Sequence, residues 1–176
     1  MATSTVELWE TIAVEAGQES PLWRDVLLAD GEPESVFSPL AEERHALGLE
    51  TIYEGYLVHY GRPRLFEPSD EDTALLLGDY LYAHGLVRIA DVGTVEAVAD
   101  LAELISLCAQ LRADSTPGDD VAWAASAALL GAGELEGARA ALRDRGDAAP
   151  LTALAEANTD GDALEQALAA HARRVR

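Results

Sequence analysis

The sequence of 176 residues has no lysine, one cysteine and few aromatic side chains. All twelve basic residues are arginines, and 32 acidic residues bring the formal net charge to −20. A charge of this sign repels phosphate backbones and anionic lipid surfaces, so nucleic acid is not expected as a partner. The lone Cys108 excludes an internal disulfide and a cysteine metal cluster, and its apolar neighbours predict a small buried hydrophobe.

Long hydrophobic runs and targeting signals are also missing. The longest weakly polar run, residues 121–133, is too short to cross a bilayer. The first five residues do not place a basic region before an apolar core, as a signal peptide would. We therefore expect a cytoplasmic protein without a membrane span.

Alanine and leucine dominate what is present, and hydrophobic residues make up 49% of the chain. These are strong helix formers, whereas the alternation of β-branched residues that marks strands is hard to find. The fold class predicted is all-α, a compact helical bundle of about seven to eight helices. Its length suits one domain over residues 1–176.

Prolines, glycines and capping residues divide the chain into predicted helices. Ser38 before Pro39 predicts one helix start, Ser69 a second through a capping box, and Thr94 a third after the turn at Gly93. The predicted helices cover about residues 6–16, 39–59, 70–91, 95–113, 119–131, 134–145, 149–157 and 159–174, with a further short one possible at 22–28. The linker 114–118 separates a core, 39–113, from the C-terminal helices, 119–176.

The sequence holds two short motifs, Gly61-Arg62-Pro63 and Gly78-Asp79-Tyr80-Leu81, whose leading glycines are seventeen positions apart. This pairing resembles the trans-polyprenyl diphosphate synthase family, in which a DDxxD helix precedes an RRGRP loop and a GDYL helix. The resemblance covers residues 45–113 and implies that this region has part of the isoprenoid synthase fold. In that family the aspartates hold magnesium ions that bridge an allylic diphosphate, and the arginines bind the diphosphate.

The catalytic half of the family pattern is changed in this chain. Counting back from Gly61 without gaps aligns DDxxD with the five residues from Glu50 to Glu54, which form ETxxE. The two arginines before GRP become His59 and Tyr60. The upstream GKRxRP segment and a second aspartate-rich motif are not found, and the chain has about half the usual family length. The resemblance then implies Glu50 and Glu54 as metal ligands, and Arg62, His59 and Tyr60 as diphosphate contacts.

Each of these residues also has a simpler structural interpretation. Glu50 and Glu54 could share a cation or lie on a solvated helix face, and Arg62 could organise its loop with Arg64 and Glu67. The central tyrosines could line a prenyl tunnel or fill the helical core. Within the apolar helix 70–91, Asp79 requires a polar partner and His84 is assigned to packing or an interface.

These observations favour a non-catalytic protein related to isoprenoid synthases, with no catalytic residue and no cofactor assigned. Its expected role is that of a regulatory or small subunit, which forms a homodimer or pairs with a full-length prenyl diphosphate synthase. The apolar helix 70–91 would supply the interface, with Leu77, Asp79, Tyr80, Leu81 and His84 as its candidates. The alternatives are a prenyltransferase that uses Glu50 and Glu54 with Mg²⁺, or an unrelated helical adaptor.

Overall fold

A computed structural model describes residues 5–29, 31 and 33–175 of the protein. Over these residues the chain is all-α, as predicted, with nine α-helices and no strand. The helices are α1 (Thr5–Glu19), α2 (Pro21–Asp25), α3 (Ala46–Tyr60), α4 (Glu71–Val92), α5 (Val95–Ala113), α6 (Asp119–Ala128), α7 (Glu136–Arg145), α8 (Ala149–Asn158) and α9 (Gly161–Arg174).

The predicted single helix over 39–59 is wrong in its first turns. Two short 3-10 turns, Ser38–Leu40 and Glu43–His45, precede α3, which begins only at Ala46. Ala41 between the turns has an extended backbone, with φ −107° and ψ 169°. The backbone amide of Ser38 is held by the Glu50 carboxylate, so a tertiary contact overrides the local helix start.

The starts of α4, α5 and α9 follow side-chain caps. At α5 the cap is Thr94, as predicted, whose side chain accepts a hydrogen bond from the Ala97 amide. At α4 the predicted cap Ser69 is wrong, because the carboxylate of Asp70 accepts from the Thr73 amide at 2.8 Å. The last helix is capped by Asp160, one residue beyond the predicted start.

Helices α3 and α4 pack closely through two glycines on each. A Cβ on Gly48 would lie 3.1 Å from the carbonyl oxygen of Gly85, and one on Gly85 would lie 3.0 Å from that of Gly48. Two turns further along α3, a Cβ on Gly55 would lie 3.0 Å from the carbonyl oxygen of Gly78. The pairing 48 with 85 and 55 with 78 is antiparallel, and in both helices the glycines are seven residues apart. Gly78 of the GDYL string is therefore a close-packing position.

The segment 61–68 lies between α3 and α4 and contacts both the N-terminal and the C-terminal part of the chain. The Arg62 amide donates to the Arg174 carbonyl at 2.9 Å, at the end of α9. Further along, the Leu28 amide donates to the Leu65 carbonyl at 2.9 Å, and the Glu67 amide donates to the Val26 carbonyl at 2.8 Å. The segment thus holds α2 and α9 against the central pair.

Two clusters of buried apolar residues fill the interior. The main cluster joins α3 and α5 to the C-terminal helices, and Tyr53, Tyr56 and Trp123 at its centre are each 0% exposed. The second cluster packs α1 and α2 on α3 and α4 through Trp9, Trp23 and neighbouring side chains. Cys108 is 1% exposed in the main cluster, which confirms the prediction of a buried hydrophobe.

Candidate functional site

Helix α3 places Glu50 and Glu54 one turn apart on a face that points into the protein. Both carboxylates are 0% exposed, so the interpretation of a solvated helix face is wrong. Each belongs to one buried cluster with Arg64, whose side chain is also fully buried. A carboxylate in such a place requires compensation by charge and hydrogen bonds.

Arg64 supplies that compensation. Its Nε lies 2.8 Å from Oε2 of Glu54 and its Nη1 lies 2.5 Å from Oε2 of Glu50. The guanidinium also lies 4.5 Å from the ring centroid of Trp9 and 4.9 Å from that of Tyr53, between the two aromatic faces. Burial alone would lower the pKa of Arg64, but the two carboxylates outweigh it and raise the pKa above its ordinary value.

The remaining carboxylate oxygens accept backbone hydrogen bonds. Oε1 of Glu50 accepts from the amides of residues 36 and 38, at 3.1 and 3.0 Å. Oε1 of Glu54 accepts from the amides of Arg64 and Leu65, both at 2.8 Å. The acidic pair therefore fixes two loop segments on α3. A hydrated Mg²⁺ reaches these oxygens only by displacing Arg64 and both segments, and metal binding at this pair stays a prediction.

The three predicted diphosphate contacts do not form one group. Nε2 of His59 lies 3.3 Å from Asp79, whose side chain is 66% exposed and not buried as its apolar helix suggested. Arg62 donates to the carbonyl oxygen of Arg173 at the end of α9. Tyr60 lies on a separate cleft between α3, α5 and α6. The proposed loop pairing of Arg62 with Arg64 and Glu67 is not formed, since Arg64 belongs to the buried cluster.

A second polar network, which the sequence did not indicate, joins α3, α5, α6 and α9 around Asp119. Tyr56 and Arg112 both donate to Oδ2 of Asp119, and Nε2 of His171 lies 3.3 Å from the same oxygen. Nδ1 of His171 lies 3.0 Å from the hydroxyl of Tyr53. Nε and Nη2 of Arg112 donate to the Tyr56 hydroxyl at 3.0 and 2.7 Å.

The network keeps Asp119 ionised. Burial would raise the pKa of this carboxyl group, but hydrogen bonds from His171 and Tyr56 and the charge of Arg112 outweigh burial and hold the pKa well below its ordinary value. Burial and the charge of Asp119 raise the pKa of Tyr56 far above its ordinary value, so its hydroxyl stays a donor. Tyr56 is therefore unsuited to act as a general base near neutral pH.

The Asp119 network forms one wall of the cleft on which Tyr60 lies. The cleft has a volume of about 730 Å³. The last two turns of α5 form a second wall, and the linker 115–117 closes the third side. The side chains of Arg112 and Asp119 are 23% and 14% exposed there, so both reach the cleft.

The predicted interface residues on α4 are divided between interior and surface. Leu77 and Leu81 are 0% and 1% exposed and pack in the second cluster, inside the chain. Tyr80 stacks on His84, whose Nε2 lies 2.9 Å from Glu15 of α1. Of the two roles predicted for His84, packing and an interface, these contacts within the chain account for packing. The exposed face of α4 carries other apolar side chains, Leu75, Leu76 and Val87, which are between 54% and 57% exposed.

Comparisons with protein-family models, curated proteins and solved structures find no significant match to this chain. Within the described residues, no group of three or more histidine, cysteine or acidic side chains is arranged to hold a metal ion. None of the helices over those residues is long and apolar enough to span a membrane. Over the described residues the protein is an all-α helical bundle, with buried polar clusters around Arg64 and Asp119 and a cleft beside the second of them.

Proposed function

We propose that this protein is a non-catalytic relative of the isoprenoid synthases that acts by association. Its partner is a full-length prenyl diphosphate synthase, for which it serves as a regulatory or small subunit, or a second copy of itself. One observation carries the proposal: the residues that align with the magnesium-binding motif are neutralised by a cation of the same chain. Arg64 lies where Glu50 and Glu54 would need a metal ion.

The state of the two carboxylates supports a role without turnover. Ionisation of an allylic diphosphate requires neutralisation of the leaving group, which the family achieves with magnesium ions on exposed aspartates. Here the corresponding carboxylates are fully buried. The positions that match the family best, Gly61 and Gly78, are packing positions: a Cβ on either would approach its neighbours to 2.7 Å or less. Of the family motifs, the chain keeps the glycine positions at which its segments pack closely.

The exposed face of α4 supports association. This helix of 22 residues is about 33 Å long, enough to cross a typical interface. Along it Leu75, Leu76, Ala83 and Val87 face solvent, and the carboxylates of Asp72 and Asp79 lie on the same face. Exposed leucine and valine side chains on one side of a helix form a surface that a partner protein can cover.

Co-purification with a prenyl diphosphate synthase from the same genome tests this association. We expect the two proteins to elute together in size exclusion and the product chain length to change. The variant Leu76→Arg/Val87→Arg should abolish co-elution, whereas Val14→Arg, an equally exposed position on α1, should leave it intact. If the α4 variant still elutes with the synthase, the exposed face of α4 is not the interface. If the wild type elutes alone as a monomer, the association proposal fails and the helical adaptor becomes the better hypothesis.

The enzyme alternative has its own assay. The wild-type protein is incubated with Mg²⁺, isopentenyl diphosphate and an allylic diphosphate, and products are measured by chromatography. We expect no turnover above a blank without protein. Calorimetric titration of Mg²⁺ into the protein alone should give no binding heat, because Arg64 already neutralises the carboxylates. Turnover, or a Mg²⁺ site lost in Glu50→Ala/Glu54→Ala, would establish the enzyme instead.

A further inference from the structure

Residues 39–45, here called the strap, lead into α3 through two 3-10 turns. Only one of their side chains is buried, that of His45, which is 2% exposed. The other six are half-buried or exposed, and of these Leu40 and Ala41 contact the main cluster. The second half of the strap is therefore anchored by one imidazole.

The hydrogen bonds of the strap are local. The amides of Leu40, Ala41 and His45 donate to carbonyl oxygens three residues earlier, at 3.0, 3.1 and 2.9 Å. Arg44 pairs with Glu42 at 3.0 Å. Within the described part of the chain, no hydrogen bond joins the strap to α4, α5 or α6. Lifting the strap from these helices breaks no hydrogen bond to them, so it costs far less than unfolding the bundle.

His45 lines a cavity of about 270 Å³ beneath the strap. The other walls come from Thr94 and Ala97 at the start of α5 and from residues 128–132 at the end of α6. Nε2 of His45 faces the turn between α4 and α5, where a Cβ on Gly93 would lie 3.3 Å from it. Neither ring nitrogen has a protein hydrogen-bond partner, and both are closed to solvent. A charged imidazole in this place would lack both water and a partner.

The charges on the strap do not compensate a proton on His45. Besides His45, Glu42 and Arg44 are the ionisable residues that line the cavity, and Glu43 is exposed. Burial and the charge of Arg44 lower the pKa of His45 below its ordinary value, and the charge of Glu42 offsets this only in part. The imidazole therefore binds a proton more weakly under the closed strap than in solvent.

The charged groups on the surrounding helices are paired, exposed or directed to another cleft. On α4, Arg88 forms an ion pair with Glu15 at 2.6 Å, and Asp91 is exposed. On α5, Glu96 lines a cleft against α7. The wall at the end of α6 has no ionisable side chain. Over the described residues, these helices thus offer protonated His45 no ion-pair partner.

We propose that the strap is a pH-sensitive cover: protonation of His45 releases residues 39–45 and opens the cavity beneath, while the helices stay folded. With the strap lifted, the imidazole is solvated and regains its ordinary pKa of 6.5, so acid favours the lifted form. One proton changes the ratio of lifted to closed strap by at most about tenfold per pH unit. The opened cavity presents an apolar wall of Ala97, Ala128, Leu129, Leu130 and Ala132. The α4 face proposed for association is not part of this cavity.

Thiol labelling of the variant Ala97→Cys tests the cover. Ala97 is 1% exposed and lines the cavity, so a thiol there reacts when the strap has lifted. Cys108 is equally buried but lies outside the cavity, and it reacts only when the bundle unfolds. Rates are taken relative to a free cysteine peptide at each pH, which removes the pH dependence of the thiolate.

From pH 7.5 to pH 5, we expect the relative rate at position 97 to rise about tenfold or more, up to about 30-fold for one proton. It should stay at least about 100-fold above the rate at Cys108, because local opening needs less free energy than unfolding. Equal rates at the two thiols would mean that acid unfolds the whole bundle and would overturn the proposal. No rise at position 97 would overturn it as well.

Three variants, each combined with Ala97→Cys, assign the effect to one proton. His45→Leu fills the same place and does not titrate, so the rise should disappear. His59→Gln removes another histidine whose pKa burial lowers, and the rise should remain. His45→Arg carries its charge at pH 7.5 and should already label rapidly there. An unchanged rise in His45→Leu, or slow labelling of His45→Arg at pH 7.5, would refute the cover.

The unmodified chain provides a second measurement that does not depend on the folding of any variant. In NMR spectra recorded from pH 7.5 to pH 5, the ring signal of His45 and the amide signals of Leu40 and Ala41, at the far end of the strap, should titrate with one common midpoint. Amides that do not follow the ring would show that His45 takes up its proton without release of the strap, and the proposal would fail.

Discussion

Gly85 and Gly48 face each other so closely that a Cβ on either would lie within 3.1 Å of the other's carbonyl oxygen. A Cβ on Gly85 would also lie 2.4 Å from a side-chain carbon of Ile52. We therefore expect Gly85→Ala to reduce the free energy of unfolding by about 1–3 kcal/mol through overpacking. Chemical denaturation measures the change.

Gly137 on α7 is the control for that substitution. It is also helical, but a Cβ there has no atom within 4 Å. Gly137→Ala should stabilise the protein by about 0.5–1 kcal/mol, because alanine is the better helix former. If both alanine variants change stability equally, the close approach of α3 and α4 does not exist.

Removal of the Arg64 side chain should be among the most damaging single changes. Arg64→Leu leaves the buried carboxylates of Glu50 and Glu54 without their cation, and we expect a loss of about 3–5 kcal/mol in unfolding free energy. Arg143→Ala breaks an ion pair with Glu103 that is largely exposed and should change stability by less than about 1 kcal/mol. Equal losses in urea denaturation would contradict the buried cluster.

Stability should decrease at mildly acidic pH because of His45. This side chain is 2% exposed, and neither ring nitrogen has a protein hydrogen-bond partner. Burial and the charge of Arg44 lower its pKa below the ordinary 6.5. Between 6.5 and the folded-state value, the unfolded chain binds more protons than the folded one, so the unfolding free energy falls as the pH falls.

The variant His45→Leu isolates that contribution. Its unfolding free energy, measured from pH 7.5 to pH 5, should fall less steeply than that of the wild type. The pKa of His59 is also lowered by burial and adds a slope of the same sign, which both proteins share. Parallel curves for the two proteins would show that His45 is not buried in the neutral form.

The thiol of Cys108 should report unfolding. It is 1% exposed, and burial together with the charge of Asp119 raises its pKa far above the ordinary value. We expect reaction with a disulfide reagent at neutral pH to be at least about 100-fold slower in the native protein than in denaturant. Rapid labelling of the native protein would contradict this placement.

Local signals predicted much of the helical pattern. The segment from Thr94 to Ala113 carries its own cap and end, and it forms the predicted helix. Residues 38–45 carry an equally good local start, yet they form 3-10 turns, because Glu50 accepts hydrogen bonds from the backbone amides of residues 36 and 38 at the start of this segment. Such a contact depends on tertiary packing and leaves no local trace.

The polar clusters differ in how far the sequence could have revealed them. The spacing of Glu50 and Glu54 indicates an acid pair on one helix face, but the fold decides its partner, and the sequence alone places Arg64 in the loop. The Asp119 network joins Tyr53 to His171 across 118 residues, a distance over which one sequence carries no pairing information. The glycines at 48, 55, 78 and 85 were a usable signal, since equal spacing on neighbouring helices indicates close packing.

The segment 61–68 also bears on the order in which the chain folds. Its contacts with residues 26–28 close a loop of roughly 40 residues, whereas its contact with residue 174 closes one of roughly 110, at an extra entropic cost of about 1 kcal/mol. We expect α9 to dock after the α2 side has formed. Weakening that contact, as in Arg62→Ala, should then accelerate unfolding while leaving the refolding rate nearly unchanged.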